Sequence, residues 1–144
     1  MKICFDMDGV LVDLYSVNNW LEKLRAEKTE PYLAAEPMCK LCNLARKLNM
    51  LQAQGNQLAI ISWTSKCGTP KYNEQVKLAK IFWLAQHLPS VRWDFIHIVE
   101  YGTPKNIFKE NPEDILFDDE SHNRDNWGEN AFSPDEIMKV LKTL

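Results

Sequence analysis

The sequence has no long hydrophobic run, no glycine-rich nucleotide loop and no large excess of charge of one sign. No apolar stretch approaches the roughly 20 residues of a membrane-spanning helix, so we expect no membrane segment and no membrane partner. No Gly-x-Gly-x-x-Gly pattern is present, which argues against a dinucleotide-binding domain. A net charge of -3 argues against a broad surface for duplex nucleic acid, although it leaves room for a small basic groove.

Export signals and a cysteine-based site are also missing. The charged start at Met1 and Lys2 leads into a strand instead of a signal-peptide core, so we expect a cytoplasmic protein. Cys39 and Cys42 have the spacing of half a zinc site or of a redox pair, but no second pair with matching spacing follows. Free thiols are therefore favoured over a metal site or a disulfide.

Length and composition are those of one globular domain. The 144 residues bury a normal core but are too few for two domains, and no repeat or low-complexity linker divides them. Short apolar runs predict four strands, at 2–5, 58–61, 95–99 and 115–117. Because helical patterns alternate with these strands, we expect an α/β fold, a Rossmann-like three-layer α/β/α sandwich with a mostly parallel sheet.

Four helices are predicted between and after the strands. The first has apolar residues at Val17, Trp20, Leu21 and Leu24 and should end at Glu30-Pro31. The second has Leu41, Leu44, Leu48 and Leu51 and stops at Gly55-Asn56, and the third has Leu78, Ile81, Phe82 and Ala85 and ends before Pro89. The last begins with Ser133 as N-cap and Pro134 at the first helical position and runs to Leu144.

Polar residues cluster after the predicted strands. Asp6 and Asp8 follow the first strand one residue apart, so both side chains point to the same side, and Gly9 lets the backbone turn away. Ligands of open parallel sheets bind beyond the carboxyl ends of the strands. The other clusters expected there are Ser62 with Thr64, the run Gly102 to Lys105, and Asp118 with Asp119. Neighbouring carboxylates repel unless a cation lies between them or one carries a proton.

Two of these clusters carry a family resemblance. The run Phe-Asp-Met-Asp-Gly-Val-Leu at residues 5–11 resembles the first motif of the haloacid dehalogenase superfamily of magnesium-dependent phosphatases and phosphotransferases. The strand that ends in Asp118 and Asp119 resembles its fourth motif, and the likeness spans residues 3–127. It implies a phosphatase with a small cap or none, similar to 5'-nucleotidases, with Mg²⁺ as cofactor.

The resemblance implies a role for each candidate residue. Asp6 would be the nucleophile that forms an aspartyl phosphate, and Asp8 the general acid/base. Ser62 and the backbone at Trp63 would bind the substrate phosphate, with Thr64 as the competing hydroxyl. Lys105, preferred over Lys66 and Lys71, would offset charge on the nucleophile and the phosphate. The expected Mg²⁺ ligands are Asp6, the backbone carbonyl of Asp8, Asp118 and, directly or through water, Asp119.

The expected substrate depends on the cap. Residues 13–36 offer room only for a small helical insertion, which predicts an open or lightly covered site. Tyr15, Trp20, Trp63 and Trp127 could stack on a base there, or Trp20 and Trp127 could pack inside the domain. We expect a small phosphorylated substrate, either a nucleotide or another small phosphoester, and no protein partner.

Other functions stay open at this stage. One is a phosphatase for polynucleotide ends or phosphoproteins, and another is a catalytically silent member of the family that binds a partner. The silent module is disfavoured because it has no need for four charged groups facing one crevice. A response-regulator-like domain would place its nucleophile after a later strand. Loop and helix-cap residues that brace the site are expected at Asn123, Arg124, Asp125 and Trp127, and His122 is interpreted as a surface imidazole.

Overall fold

Five strands form one sheet in the computed structural model, which describes residues 1–144. The strands are β1 (Lys2–Phe5), β2 (Gln57–Trp63), β3 (Phe95–Val99), β4 (Ile115–Phe117) and β5 (Ala131–Phe132). Their order is β3-β2-β1-β4-β5 and every neighbouring pair is parallel. The four predicted strands are confirmed, whereas β5 has only two residues and was too short to be recognised.

Six α-helices connect and cover the strands. They are α1 (Trp20–Arg25), α2 (Glu30–Ala34), α3 (Leu41–Ala53), α4 (Pro70–His87), α5 (Ser121–Trp127) and α6 (Ile137–Thr143). Single 3-10 turns lie at Leu14–Ser16, Lys105–Phe108 and Pro134–Glu136, and the last begins at Ser133 with a capping box. None of the helices is long and apolar enough to cross a membrane.

Both faces of the sheet are covered, which confirms the three-layer architecture. Alternate residues of a strand point to opposite faces, so Ile3 and Phe5 of β1 join a core of 20 buried residues with side chains of α3, α4 and α6. Cys4 points to the other face, where the smaller second cluster packs against Trp127 of α5. Of the two placements of Trp127 considered from the sequence, the structure has the one in which it packs inside the domain.

The first predicted helix is shorter than expected. Helix α1 ends at Arg25, and Glu27 takes a left-handed backbone conformation with a φ of 55°. The prediction that this helix ends at Pro31 is wrong, because Pro31 lies in the first turn of α2. Proline suits that position since it lacks an N–H that would have no partner there and its fixed φ is already helical.

The third predicted helix is confirmed as α4, but its apolar stripe does not face the core. Leu78, Ile81 and Phe82 are 68%, 43% and 58% exposed. The buried stripe runs one step away through Val76, Ala79, Lys80 and Trp83. A search for apolar periodicity does not count a buried lysine. The helix was therefore predicted from the exposed apolar residues Leu78, Ile81 and Phe82 and not from the stripe that faces the core.

The 13–36 insertion closes on itself at its base. The Asp13 backbone N–H donates to the Glu36 carbonyl at 2.8 Å, so the chain leaves and rejoins the domain at one point. Helix α2 packs on α4, where the Trp83 indole N–H donates to the Ala35 carbonyl at 2.8 Å and the Tyr72 hydroxyl to the Lys28 carbonyl at 2.6 Å. These contacts place the insertion beside the carboxyl end of the sheet, and its role as a cap stays a prediction.

A buried carboxylate joins the start of β1 to the turn before β4. Asp114 is fully buried and accepts hydrogen bonds from the backbone N–H groups of Lys2 (2.8 Å), Glu110 (3.0 Å) and Asn111 (2.9 Å). Burial alone would raise the pKa of this carboxyl, but the backbone hydrogen bonds outweigh it and lower the pKa below its ordinary value. The charged form therefore stabilises the fold.

We expect Asp114→Asn to lower the free energy of unfolding at pH 7 by about 2 to 3 kcal/mol, because an amide has one acceptor oxygen for three buried N–H groups. The native pKa is lowered, so the wild-type advantage is present above the unfolded pKa near 3.8 and is lost as pH falls through the native pKa. Urea unfolding between pH 3 and 8 measures this, with the exposed Glu113→Gln as control. An unchanged free energy at pH 7 would contradict the assigned role.

Candidate active site

Parallel pairing of β1 with β4 brings two aspartates together. Phe5 and Phe117 are register partners, and the Asp6 backbone N–H donates to the Phe117 carbonyl at 2.9 Å. The residues that follow the two strands, Asp6 and Asp118, therefore lie side by side at the carboxyl edge. Asp6 is 8% exposed and Asp118 is 0% exposed, so both carboxylates are almost entirely shielded from solvent.

Lys105 lies between these two carboxylates. Its Nζ is 2.8 Å from Asp6 Oδ2 and 2.5 Å from Asp118 Oδ2, and its side chain is fully buried. Burial opposes the charge on the ammonium, but Asp6 and then Asp118 overcome it and raise the pKa of Lys105. Of the lysines considered from sequence, Lys105 is thus the one that contacts the candidate nucleophile. Lys66 lines the neighbouring cavity, and Lys71 is exposed in the first turn of α4.

Residues of helix α5 and its N-cap form hydrogen bonds with Asp118 and Asp119. The Asn123 amide donates to both Asp118 carboxylate oxygens at 3.2 Å, and the Glu120 N–H donates to Asp118 Oδ1 at 2.9 Å. The Arg124 guanidinium donates to the backbone carbonyls of Asp118 and Asp119, both at 2.8 Å. Two of the residues interpreted as bracing the site therefore contact it, and they do so from a helix. His122 is exposed.

Asp8 is held by a lysine that sequence reasoning missed. Lys80 Nζ lies 2.7 Å from Asp8 Oδ2, and Asp8 Oδ1 has no hydrogen-bond partner. Burial raises the pKa of Asp8, the Lys80 charge opposes this, and the negative charge of Asp6 adds to the rise. The one available signal was that Lys80 lies three and four residues from Trp83 and Val76 on one side of a helix.

The two hydroxyls considered for phosphate binding have different surroundings. Ser62 is fully buried, and its Oγ accepts a hydrogen bond from Lys80 Nζ at 2.9 Å. Thr64 is 4% exposed, its Oγ1 has no partner, and it lines the cavity beside Asp6 and Asp8. Trp63 lies between them and its indole N–H donates to the Thr103 carbonyl at 2.9 Å. Of these two hydroxyls, the one without a hydrogen-bond partner at the cavity is therefore that of Thr64.

Three carboxylates form a possible cation site. Asp6, Asp118 and Asp119 each place an oxygen within 4.8 Å of the others. Burial, followed by the charges of Asp6 and Asp118, raises the pKa of Asp119 to about 7. Asp119 lies over Gly9, where an added Cβ would come within 2.8 Å of its Cγ and where the backbone has a φ of 73°. An all-oxygen set of crowded carboxylates fits a hard ion such as Mg²⁺, since a cation relieves the repulsion.

A cavity of about 410 Å³ opens in front of Asp6 and Asp8. Trp63 and Tyr101 form one aromatic wall, with ring centroids 4.8 Å apart, and Tyr15 and Trp20 form another, with centroids 5.0 Å apart. Trp20 thus lines this cavity and also packs against the buried cluster between the insertion and α4. Arg25 and Lys66 are the cationic lining residues beside the acids Asp6, Asp8, Asp119 and Glu120, so the cavity combines flat apolar surfaces with charges of both signs.

Elsewhere the chain offers no second grouping of this kind. All four cysteines are free thiols, with Cys4 buried in β1 and Cys39, Cys42 and Cys67 exposed. The only group of three or more metal-binding side chains is the aspartate set described above. The polar chemistry of the molecule is therefore concentrated at the carboxyl edge of β1, β2 and β4, where the sequence predicted it.

Comparison with known proteins supports the fold. No protein-family model matches the sequence, and no curated protein matches it. Among solved structures, the chain is similar to the D,D-heptose 1,7-bisphosphate phosphatase from Burkholderia thailandensis. The match covers 99% of this chain and 96% of the phosphatase chain, with a TM-score of 0.62 and 10% sequence identity. At that identity the likeness shows the fold alone. It supports the Rossmann-like α/β architecture predicted from the sequence.

We expect Mg²⁺ to stabilise the protein more at pH 8 than at pH 5. The native pKa of Asp119 is raised from 3.8 to about 7. Without a cation, Asp119 therefore lowers the free energy of unfolding progressively as pH rises from 3.8 to about 7. A bound cation reverses this, with a gain of about 2.7 kcal/mol at 100 times the Kd. Thermal unfolding with Mg²⁺ or with chelator at the two pH values measures this stabilisation. Asp119→Asn should weaken both the stabilisation by Mg²⁺ and its dependence on pH. An equal Mg²⁺ effect at the two pH values would contradict this assignment.

Proposed function

We propose that the protein is a magnesium-dependent phosphomonoester hydrolase that acts through an aspartyl-phosphate intermediate. One observation carries the proposal: Asp6, Asp8, Lys105 and Asp118, from three separate stretches of chain, lie together at the carboxyl edge of the sheet, where Asp6 and Asp8 line a single cavity. The similarity of the fold to that of a sugar bisphosphate phosphatase agrees with a phosphatase in general.

Asp6 is the nucleophile in this proposal. One carboxylate oxygen is oriented by the Met7 N–H, which donates to Oδ1 at 2.6 Å, and the other by Lys105. A carboxylate oxygen attacks phosphorus, the bond from phosphorus to the ester oxygen breaks, and an aspartyl phosphate forms. The Lys105 ammonium offsets negative charge as the two anions approach. A bound Mg²⁺ would add further neutralisation of the phosphate, held by Asp6, the Asp8 carbonyl, Asp118 and Asp119.

Asp8 moves the protons in both half-reactions. In the first it gives a proton to the departing alkoxide, so it must begin protonated, and the raised pKa of its buried carboxyl favours that form. In the second, the resulting carboxylate takes a proton from the water that attacks the aspartyl phosphate. Phosphate leaves, Asp6 is regenerated as a carboxylate and Asp8 is again protonated.

Thr64 is the better candidate for the phosphate-binding hydroxyl. The sequence motif favours Ser62, but the Ser62 oxygen already accepts a hydrogen bond from Lys80 and Ser62 does not line the cavity. The Thr64 hydroxyl is buried, lacks a partner and lies at the cavity wall. A buried hydroxyl without a partner is unfavourable, so a phosphate oxygen there would satisfy it.

The proposed substrate is a nucleotide or another small phosphoester. A cavity of about 410 Å³ with aromatic walls accommodates a flat base while Asp6 faces the phosphate. Arg25 and Lys66 add positive charge at the same cavity. The aromatic surface comes from the insertion, from the last residue of β2 and from the loop that follows β3, and in this proposal it contacts the leaving group.

The first experiment is phosphate release from p-nitrophenyl phosphate, nucleoside monophosphates, glycerol phosphate, phosphorylated oligonucleotides and a phosphopeptide, with Mg²⁺ or with chelator. We expect Mg²⁺-dependent turnover, highest on a nucleoside monophosphate. Asp6→Asn should lower kcat by on the order of 1,000-fold or more with the fold retained, because an amide is not a nucleophile. The exposed Asp125→Asn is the control. Full turnover by Asp6→Asn would exclude the assigned nucleophile, and faster turnover of the polymers would favour the other phosphatase function.

Trp63 should select for substrates with a base. We expect Trp63→Ala to raise KM for a nucleoside monophosphate by roughly 5- to 150-fold, the loss of about 1 to 3 kcal/mol of stacking. KM for glycerol phosphate, which has nothing to stack, should change little. Trp63→Phe keeps a flat ring but loses the hydrogen bond to Thr103, and therefore serves as the matched control. Equal effects on both substrates would show that Trp63 does not contact the leaving group.

A further inference from the structure

The Lys80 ammonium is fully occupied. Its side chain is 1% exposed, in the middle of α4, and its Nζ lies 2.7 Å from Asp8 Oδ2, 2.9 Å from Ser62 Oγ and 2.7 Å from the Trp63 carbonyl. An ammonium has three N–H donors, so three acceptors saturate it. The Tyr32 ring covers the same group, with its centroid 5.3 Å from Nζ. No donor of Lys80 is left for a substrate.

This arrangement connects three parts of the chain at one atom. Asp8 belongs to the turn after β1, Ser62 and Trp63 end β2, and Lys80 comes from the helix that follows β2. A buried lysine is unfavourable unless it is paired, and the only carboxylate within salt-bridge distance of it is that of Asp8. Asp8 in turn uses Oδ2 for Lys80 and has no partner for Oδ1. The contact thus fixes the orientation of the Asp8 carboxylate in the cavity wall.

We propose that Lys80 is a positioning residue that holds the Asp8 carboxylate against the end of β2. This inference rests on the proposed proton-transfer role of Asp8. Lys80 does not touch the substrate, and it acts only through Asp8. A proton donor displaced by a fraction of an ångström transfers its proton less efficiently, while binding of the phosphate, which Asp8 does not hold, is little affected.

A double-mutant cycle tests the proposal. The variants are Lys80→Met, Asp8→Asn and the double variant, compared with Lys77→Met, a partly exposed lysine on the same helix that pairs with Glu74. With p-nitrophenyl phosphate and Mg²⁺, we expect Lys80→Met to lower kcat by about 10- to 100-fold with KM within about threefold. In the Asp8→Asn background the same change should cause no further loss, since the group it positions is already gone. Independent losses that multiply would overturn the proposal.

A thermal cycle on the same four proteins does not depend on turnover. Lys80→Met removes the donor to the buried oxygens of Asp8 and Ser62, so it should lower Tm clearly in the parent chain and less in the Asp8→Asn background. If Lys80→Met alone does not fold, the double variant should, and failure of both would overturn the proposal. Equal Tm shifts in both backgrounds would also overturn it. If the unmodified protein hydrolyses no phosphomonoester, the proposed function fails, and the thermal cycle still decides whether Lys80 holds Asp8.

Discussion

The candidate site depends on the buried ion triplet of Asp6, Lys105 and Asp118. Two carboxylates are placed side by side because β1 and β4 pair in parallel, and such a pair is stable only with a cation between its members. The short 3-10 turn before β4 supplies that cation as an ammonium. Removing one partner of a buried ion pair leaves an uncompensated charge, so the three residues and the two strands are coupled.

Around the triplet, burial and charge act together on the remaining acids. Asp8 and Asp119 lie within the field of Asp6 and are largely shielded from water, so the pKa of each is raised. Their surroundings differ, however. Asp8 faces a lysine, whereas Asp119 lies over the bare backbone of Gly9 and has no cationic partner in the chain. In the proposed mechanism, Asp8 carries a proton and Asp119 helps to hold a metal ion.

The sheet and the position of the acids at its carboxyl edge could be predicted from the sequence because both depend on local patterns. A fully buried strand followed by aspartate is visible in a few residues, as at Phe5-Asp6 and Phe117-Asp118. Lys80 could not be found in this way, because its burial depends on a carboxylate 72 residues away. The exposed stripe at Leu78 on the same helix resembles a core-facing pattern more closely than the real one does. Likewise, whether Ser62 or Thr64 has a free hydroxyl follows only from the position of Lys80.

The cavity walls and the acids come from different parts of the chain. Tyr15 and Trp20 belong to an insertion that leaves and rejoins the domain at the contact between Asp13 and Glu36, while Asp6 and Asp118 extend directly from the sheet. Replacing the insertion would therefore reshape the cavity without altering the register of β1 and β4. For protein engineering, this means that the insertion can be exchanged to alter the shape of the cavity while the strand-end carboxylates Asp6 and Asp118 keep their spacing.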